Sequence, residues 1–277
     1  MNRKFSIENG IPVNFIGIKP WKSLPSHDKK DICISVCASN WNRPQELIIK
    51  SLESFVKQKM FPPENYEIIL VDDASDDNNA KKSIEYLIDV YKNNCLKLYR
   101  TSYSRCWTDA HVLNVAYKRA RGKIILQNQT DVIQVGETLE ATWRHHNQLD
   151  NLWLCPLSFR QRDNSLSQRP NVLYPHELGA SVKSKWIKQI QGRNELIKVI
   201  PADVDFHLTL NKIGVVFGID WSIKTIHADH ESIPRIGNNK PEPTAWPGIG
   251  LRNDNLTWSE ESENWGVLSQ EEELNSF

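Results

Sequence analysis

No apolar run in the sequence approaches the roughly 20 residues a membrane-spanning helix requires. No apolar stretch follows the slightly basic opening Met1-Asn-Arg-Lys-Phe-Ser-Ile-Glu-Asn-Gly10, as a secretory leader would need. Neither charge is in excess: Lys plus Arg and Asp plus Glu each number 34. That balance gives no support to nucleic acid as an obligate partner, because a phosphate backbone demands a basic surface. The five cysteines (Cys33, Cys37, Cys95, Cys106 and Cys155) are odd in number and lack C-x-x-C metal spacing. Cys33 and Cys37 fall in or beside an apolar strand, where a thiol behaves as a small hydrophobe. These absences together suggest a reducing cytosol, with the chain cytoplasmic or at most peripheral at the inner face of a membrane. Internal repeats and low-complexity segments are also lacking.

What is present is the alternation of an α/β protein. With 277 residues, 39% of them hydrophobic and 25% charged, the chain suffices for one large domain. Residues 1–30 carry Pro12, Pro20 and Pro25 without periodicity and read as an irregular lead-in. Strands are expected at 32–36, 66–71, 96–100 and 123–126. Helices are expected from Pro44, a plausible first-turn proline, over 80–92 and over 109–120, from apolar residues at helical spacing. Alternating strands and helices imply βαβ units and a largely parallel sheet, whose ligands sit beyond the carboxyl ends of its strands. The polar turns after 32–36, 66–71 and 123–126 all fall at that edge.

The second half reads differently. Residues 153–159 suggest a strand and 136–146, 183–190 and 203–213 helices, with further strands at 214–217 and 222–226. The polar stretch 160–176, with Arg160, Arg162 and Arg169, is long enough to read as a functional loop. The tail beyond 236, rich in Pro, Gly, Asn and acid, is expected to pack on the same domain as a cover or lid.

Four clusters can carry chemistry, and each has a plainer alternative. Asp72-Asp73 ends an apolar strand, where two repelling carboxylates need donors or a cation, yet a strand-ending turn uses the same residues. Asp131 at the corresponding edge suits a divalent metal, or the N-cap of the helix expected at 136–146. Asp203 and Asp205 open a helix, where acids are favoured by the macrodipole; one of them is equally a candidate general base. His227-Ala-Asp-His230-Glu231 groups imidazoles with carboxylates, a donor set that Mn²⁺ accepts. Trp246, Trp258 and Trp265 are candidates for stacking on a ligand ring, or for the core.

Taken in order, five blocks over residues 32–231 resemble the family 2 glycosyltransferases of the GT-A fold. Ile34-Ser-Val-Cys-Ala-Ser-Asn-Trp-Asn-Arg-Pro44 resembles V-S-V-I-I-P-T-Y-N-R-P, and Tyr66-Glu-Ile-Ile-Leu-Val-Asp-Asp-Ala-Ser75 resembles E-I-I-V-V-D-D-G-S. Asn114-Val-Ala-Tyr-Lys-Arg-Ala-Arg-Gly-Lys-Ile-Ile125 resembles the approach to the family's metal motif. Leu178-Gly-Ala-Ser through Asp203-Val-Asp-Phe resembles the acceptor-side segment ending in E-D-x-D.

The resemblance implies a nucleotide-sugar-binding half at 31–135 and an acceptor-side half at 136–235. It implies an inverting transferase moving a sugar from a nucleotide-sugar donor, UDP-linked, to a saccharide or lipid-linked glycan, as in polysaccharide assembly. Ser39, Trp41, Arg43, Asp72, Asp73 and Asn114 would bind the nucleotide, with Asp73 accepting the uracil N3–H. Asp131, His227 and His230 would hold Mn²⁺ or Mg²⁺. Asp203 would be the base, and Asp205, Trp186 and Trp265 would face the acceptor. The D-x-D position reads Asn128-Gln-Thr130 with Asp131 following; the E-D pair reads Ala202-Asp203, and the acceptor-loop glycine pair Gln191-Gly192. A degenerate, non-catalytic binder is the alternative. A sugar-phosphate nucleotidyltransferase would need a glycine-rich phosphate loop, and the turn 39–44 has no glycine.

Overall fold

A computed structural model describes residues 3–6, 12–75, 82, 85–87, 96–102, 109–166, 178–195, 202–230 and 265–267. Its strands are β1 (Arg3–Ser6), β2 (Pro12–Ile16), β3 (Ile34–Asn40), β4 (Tyr66–Asp72), β5 (Leu96–Arg100), β6 (Ile124–Gln129), β7 (Val132–Val135), β8 (Leu152–Arg160), β9 (Ser181–Lys183) and β10 (Val216–His227). The helices are α1 (Gln45–Val56), α2 (Ala110–Arg119), α3 (Thr138–Gln148), α4 (Ser184–Gln189) and α5 (Ala202–Lys212). All ten strands join one mixed sheet in the order β1-β2-β10-β8-β9-β6-β3-β4-β5, with β7 pairing on β10.

The first four expected strands are β3 to β6, and β3–β4, β4–β5 and β3–β6 pair in parallel. β3, β4 and β6 are buried on both faces because helices cover both, whereas in the outer strand β5 only Leu98 is buried. Cys37, Ile69, Val71 and Ile125 pack with α2, Trp153 and Phe206 on one side. Val36, Ile68, Leu70 and Leu126 pack with Ile48, Leu52 and Phe55 of α1 and Leu139 of α3 on the other. This two-residue alternation is what the pleat of a doubly covered strand dictates. Cys33, Cys37 and Cys155 are buried free thiols, and burial raises the Cys37 thiol well above its ordinary range.

From β3 the chain adds β4 and then β5 on one side, while β6 lies on the other. The strand order therefore reverses between β3 and β6, the crevice where open α/β sheets take ligands. Two bonds hold its rim: Thr130 N donates to the Ser39 carbonyl at 3.2 Å and Thr130 Oγ1 to Asn40 Oδ1 at 2.8 Å.

Several expectations are corrected. The lead-in contributes β1 and β2, which pair antiparallel with each other, while β2 runs parallel to β10. The strands expected at 214–217 and 222–226 are one strand, β10, whose register against β8 shifts between Asp220 and Lys224. Such an irregularity breaks the alternation that marks a strand. The antiparallel β9 was not expected; it bonds to β6 and β8. Of the helix expected at 80–92, only Lys82 and residues 85–87 are described, and they are helical. Residues 167–176 of the polar stretch, Glu231, Trp246, Trp258, Cys95, Cys106 and all of the tail except 265–267 lie outside the described residues. Among the described residues, no helix is long and apolar enough to cross a membrane.

Candidate active site

Asp131 occupies the strand-end position between β6 and β7 and is 1% exposed. It does not cap α3, which starts seven residues later with Glu137 at its N-cap; a strand intervenes. Antiparallel pairing of β10 on β7 sets His227 opposite Val132, and Ala228 N donates to the Asp131 carbonyl at 2.8 Å. That register delivers the two histidines. His230 Nε2 lies 3.0 Å and His227 Nε2 3.8 Å from Asp131 Oδ2, and their rings meet edge to face at 5.7 Å. One ligand atom from each of the three residues lies within 4.8 Å of the others.

Arg43, from the turn after β3, reaches the same oxygen with Nε at 3.0 Å and Nη2 at 2.8 Å. Burial alone would raise the Asp131 carboxyl. Hydrogen bonds from His227 and His230, with the Arg43 charge, outweigh burial and hold it well below the usual carboxylate range. Its other oxygen, Oδ1, is buried, with no hydrogen-bond partner among the described residues. An orphaned anionic oxygen beside two imidazole nitrogens is a donor set that fits a divalent cation.

At the D-x-D position the polar groups are turned inward. Asn128 donates to Ser51 Oγ at 3.0 Å and accepts from Gln134 Nε2 at 3.0 Å, while Thr130 is bonded to Asn40.

The adjacent acids at the end of β4 differ. Asp72, fully buried, accepts from Asn40 Nδ2 at 2.8 Å, Ser75 N at 3.0 Å and Ser75 Oγ at 2.6 Å, and pairs with Arg100 at 3.4 Å. Ser75 Oγ also accepts from Asn42 N at 2.9 Å, so Asp72 locks the turn after β3 to the turn after β4. Asp73 is held at its backbone, N to the Asn40 carbonyl at 2.8 Å, and its carboxylate meets Thr101 Oγ1 at 3.4 Å. Ser39 and half-buried Trp41 follow on β3 and its turn.

Sequence reasoning missed Asp109, just ahead of α2. Its carboxylate accepts from Ser39 Oγ at 3.3 Å and Gln129 Nε2 at 3.4 Å, and stands 3.6 Å from Nη1 of buried Arg193. The guanidinium of Arg193 lies 4.9 Å from the centre of the Phe206 ring on α5. This relay ties the first turns of α5, with half-buried Asp203 and buried Asp205, to the floor of the crevice. The only sequence signal for Asp109 was its place at a helix start.

Three candidate positions fall elsewhere. Asn114 spends its amide on the loop after α4: Oδ1 accepts from Arg193 N at 2.8 Å, and Nδ2 donates to the Arg193 carbonyl and to Glu195, each at 2.8 Å. It anchors that loop. Trp265 is 6% exposed in the core against α2 and Gly192, so its ring faces are taken. Trp186 follows β9, whose Lys183 is paired with Ile124 at the amino end of β6, opposite the end that carries Asp131; its indole donates to the Asp150 carbonyl at 2.9 Å.

A mostly parallel sheet with a switch-point crevice and an acid-bearing turn after β4 is the architecture of the GT-A fold. Residues 35–206 match the family described as glycosyl transferase family 2, and the chain belongs to it. No curated protein matches the chain.

Among solved structures, residues 1–349 of S. aureus TarS in complex with UDP share 20% identity at a TM-score of 0.59, covering 72% of this chain and 61% of that one. The same TarS fragment with UDP-GlcNAc shares 18% identity at 0.59, covering 74% and 60%. GalNAc-T7 with UDP, GalNAc and Mn2+ shares 11% at 0.61, covering 74% and 45%. The chain thus spans about three fifths of the TarS fragment, and these likenesses speak to fold.

Proposed function

We propose that the chain transfers a glycosyl group from a nucleoside diphosphate sugar, UDP-linked, to a hydroxyl of a saccharide or lipid-linked glycan with inversion. The observation that carries this reading is the buried Asp131, with two neighbouring imidazoles and an Oδ1 that has no partner among the described residues, at the crevice between β3 and β6. The uridine nucleotides named in the TarS and GalNAc-T7 structures support the choice of donor.

In this reading Asp73 accepts the N3–H of the base, while Ser39 and Trp41 line it. Arg43 faces the diphosphate. Asp131, His227 and His230 are the residues that would hold a divalent cation, whose charge would offset the charge growing on the departing diphosphate. Asp203 takes the proton from the acceptor hydroxyl as its oxygen bonds to the anomeric carbon. The bond from that carbon to the diphosphate oxygen breaks on the opposite face, and the configuration inverts. Holding donor and acceptor in one orientation supplies the entropic share of the acceleration.

The test is release of UDP from UDP-sugars, UDP-GlcNAc first, with a panel of saccharide acceptors and Mn²⁺. Asp203→Asn should lower turnover by about a hundredfold or more, the usual worth of a positioned base, while donor affinity stays unchanged. Retained turnover would remove Asp203 from that role. A second reading, a binder without turnover, is favoured by Asn128 and Thr130 at the D-x-D position. UDP binding with no transfer or donor hydrolysis in the unaltered protein would establish it.

A further inference from the structure

Three cationic or metal-seeking groups converge on one oxygen. Asp131 Oδ2 receives both Nε and Nη2 of Arg43 and lies closest to His230, with His227 beyond. A guanidinium keeps its charge at any working pH. A divalent ion drawn to Asp131 and the imidazoles therefore enters a place that Arg43 already occupies electrostatically, and repulsion between cations is strong where water is excluded. The other strand-end positions give no relief, because Asn128 and Thr130 bring no negative charge and are engaged by Ser51, Gln134 and Asn40. One carboxylate, already balanced by one arginine, is a poor trap for a free ion.

A diphosphate changes that balance. Its oxygens offer the Arg43 fork a second, doubly charged acceptor. The Arg43 side chain is 21% exposed, so it faces the open crevice and can turn to it. We propose that Arg43 is an electrostatic gate on cation binding: it holds the site closed to metal in the donor-free protein and releases Asp131 when a diphosphate draws it away. Metal and nucleotide then bind as a coupled pair, each tightening the other by the same factor. This rests on the reading of a nucleoside diphosphate at the switch-point crevice.

The experiment titrates Mn²⁺, followed by the electron paramagnetic resonance signal of the free ion. It compares the unaltered protein, Arg43→Gln, Arg43→Lys and Asp131→Asn, with and without UDP, after subtracting the Mn²⁺–UDP complex formed in buffer. Unaltered protein should bind Mn²⁺ weakly alone and about tenfold or more tightly with UDP, the scale of an ordinary coupling between sites. Arg43→Gln should bind Mn²⁺ alone about tenfold more tightly than the unaltered protein, since one lost charge contact of that size is a factor of ten, and UDP should add less. Arg43→Lys, which keeps the charge, should stay near the unaltered protein, and Asp131→Asn should lose the site.

Arg43→Gln binding Mn²⁺ alone no more tightly than the unaltered protein overturns the gate. So does Arg43→Lys behaving like Arg43→Gln, or Mn²⁺ binding to none of the forms. Calorimetry of UDP with and without Mn²⁺ separates the two readings: if UDP binds in neither condition, the nucleotide reading fails, while the metal-alone arm still decides whether Arg43 excludes the ion.

Discussion

Arg43 and Asp131, 88 residues apart in sequence, meet at a single oxygen, with Nε at 3.0 Å and Nη2 at 2.8 Å from Oδ2. The contact ties the turn after β3 to the strand end after β6. It leaves Oδ1 of the same carboxylate buried, with no partner among the described residues. Replacing the acid tests both halves of that arrangement. Asp131→Asn should abolish any effect of Mn²⁺ on the thermal midpoint and lower transfer by on the order of a hundredfold or more, the scale of losing a charge-stabilising group.

The neighbours Asp72 and Asp73 should separate cleanly. Asp72 accepts three hydrogen bonds and pairs with Arg100, so Asp72→Ala leaves buried donors unmatched. The expected loss is about 3 kcal/mol in urea unfolding, as for other broken buried pairs. Asp73→Ala should weaken UDP about tenfold or more, the value of a lost hydrogen bond to a charged group. Calorimetry and urea melts on the two variants decide it; equal effects on both quantities would contradict the division of labour.

His146 makes stability depend on pH. It is 1% exposed on α3, its Nε2 is 3.0 Å from Ser181 Oγ, and its Nδ1 has no partner. Burial, then the charges of His145 and Lys183, push it down to about 3. The native state therefore keeps the ring neutral, while the unfolded chain takes up a proton below its ordinary value near 6.5. The contribution is complete above that pH and is lost as pH falls towards 3. Between pH 7 and pH 5 the loss should be about 2 kcal/mol. His146→Gln should flatten that part of the profile, and an unchanged slope would exclude His146 as its cause.

Gly192 is the fixed point of the loop after α4. Its φ of +66° suits glycine, and a Cβ there would collide with the Asn114 side chain. Asn114 in turn holds Arg193 and Glu195, and Glu195 Oε2 lies 2.7 Å from His111 Nδ1. Gly192→Ala should cost about 2 kcal/mol or more, backbone strain adding to the clash. Because Arg193 leans on Asp109 and Phe206, it should also weaken donor binding, measured by UDP calorimetry.

Much of this site was legible in the sequence because it rests on local rules. Runs such as Tyr66–Asp72, apolar and then abruptly acidic, announce a buried parallel strand and its carboxyl-end turn. His227 and His230 were legible as a cluster at a strand end. Their grouping with Asp131 came from the family resemblance alone, because it depends on the antiparallel register of β10 on β7, a pairing between segments about 90 residues apart. Arg43 was read towards the nucleotide, and nothing local shows that a carboxylate from another strand claims its guanidinium. Asn114 and Trp265 look functional by position, yet both are used up in packing α2 against Gly192. Glu67 is a similar lesson: a charged residue inside β4, it is paid for by Ser35, Lys97 and Arg121, partners set by the strand order.

Thermal unfolding shows whether the crevice between β3 and β6 binds a nucleoside diphosphate. The midpoint is measured with UDP, GDP, CDP and dTDP, each with and without Mn²⁺. A ligand bound only by the native state stabilises it by about 2.7 kcal/mol at a hundred times its Kd. UDP should raise the midpoint by several degrees, further with Mn²⁺ and beyond the other nucleotides. No shift with any of them at millimolar concentration would contradict the account.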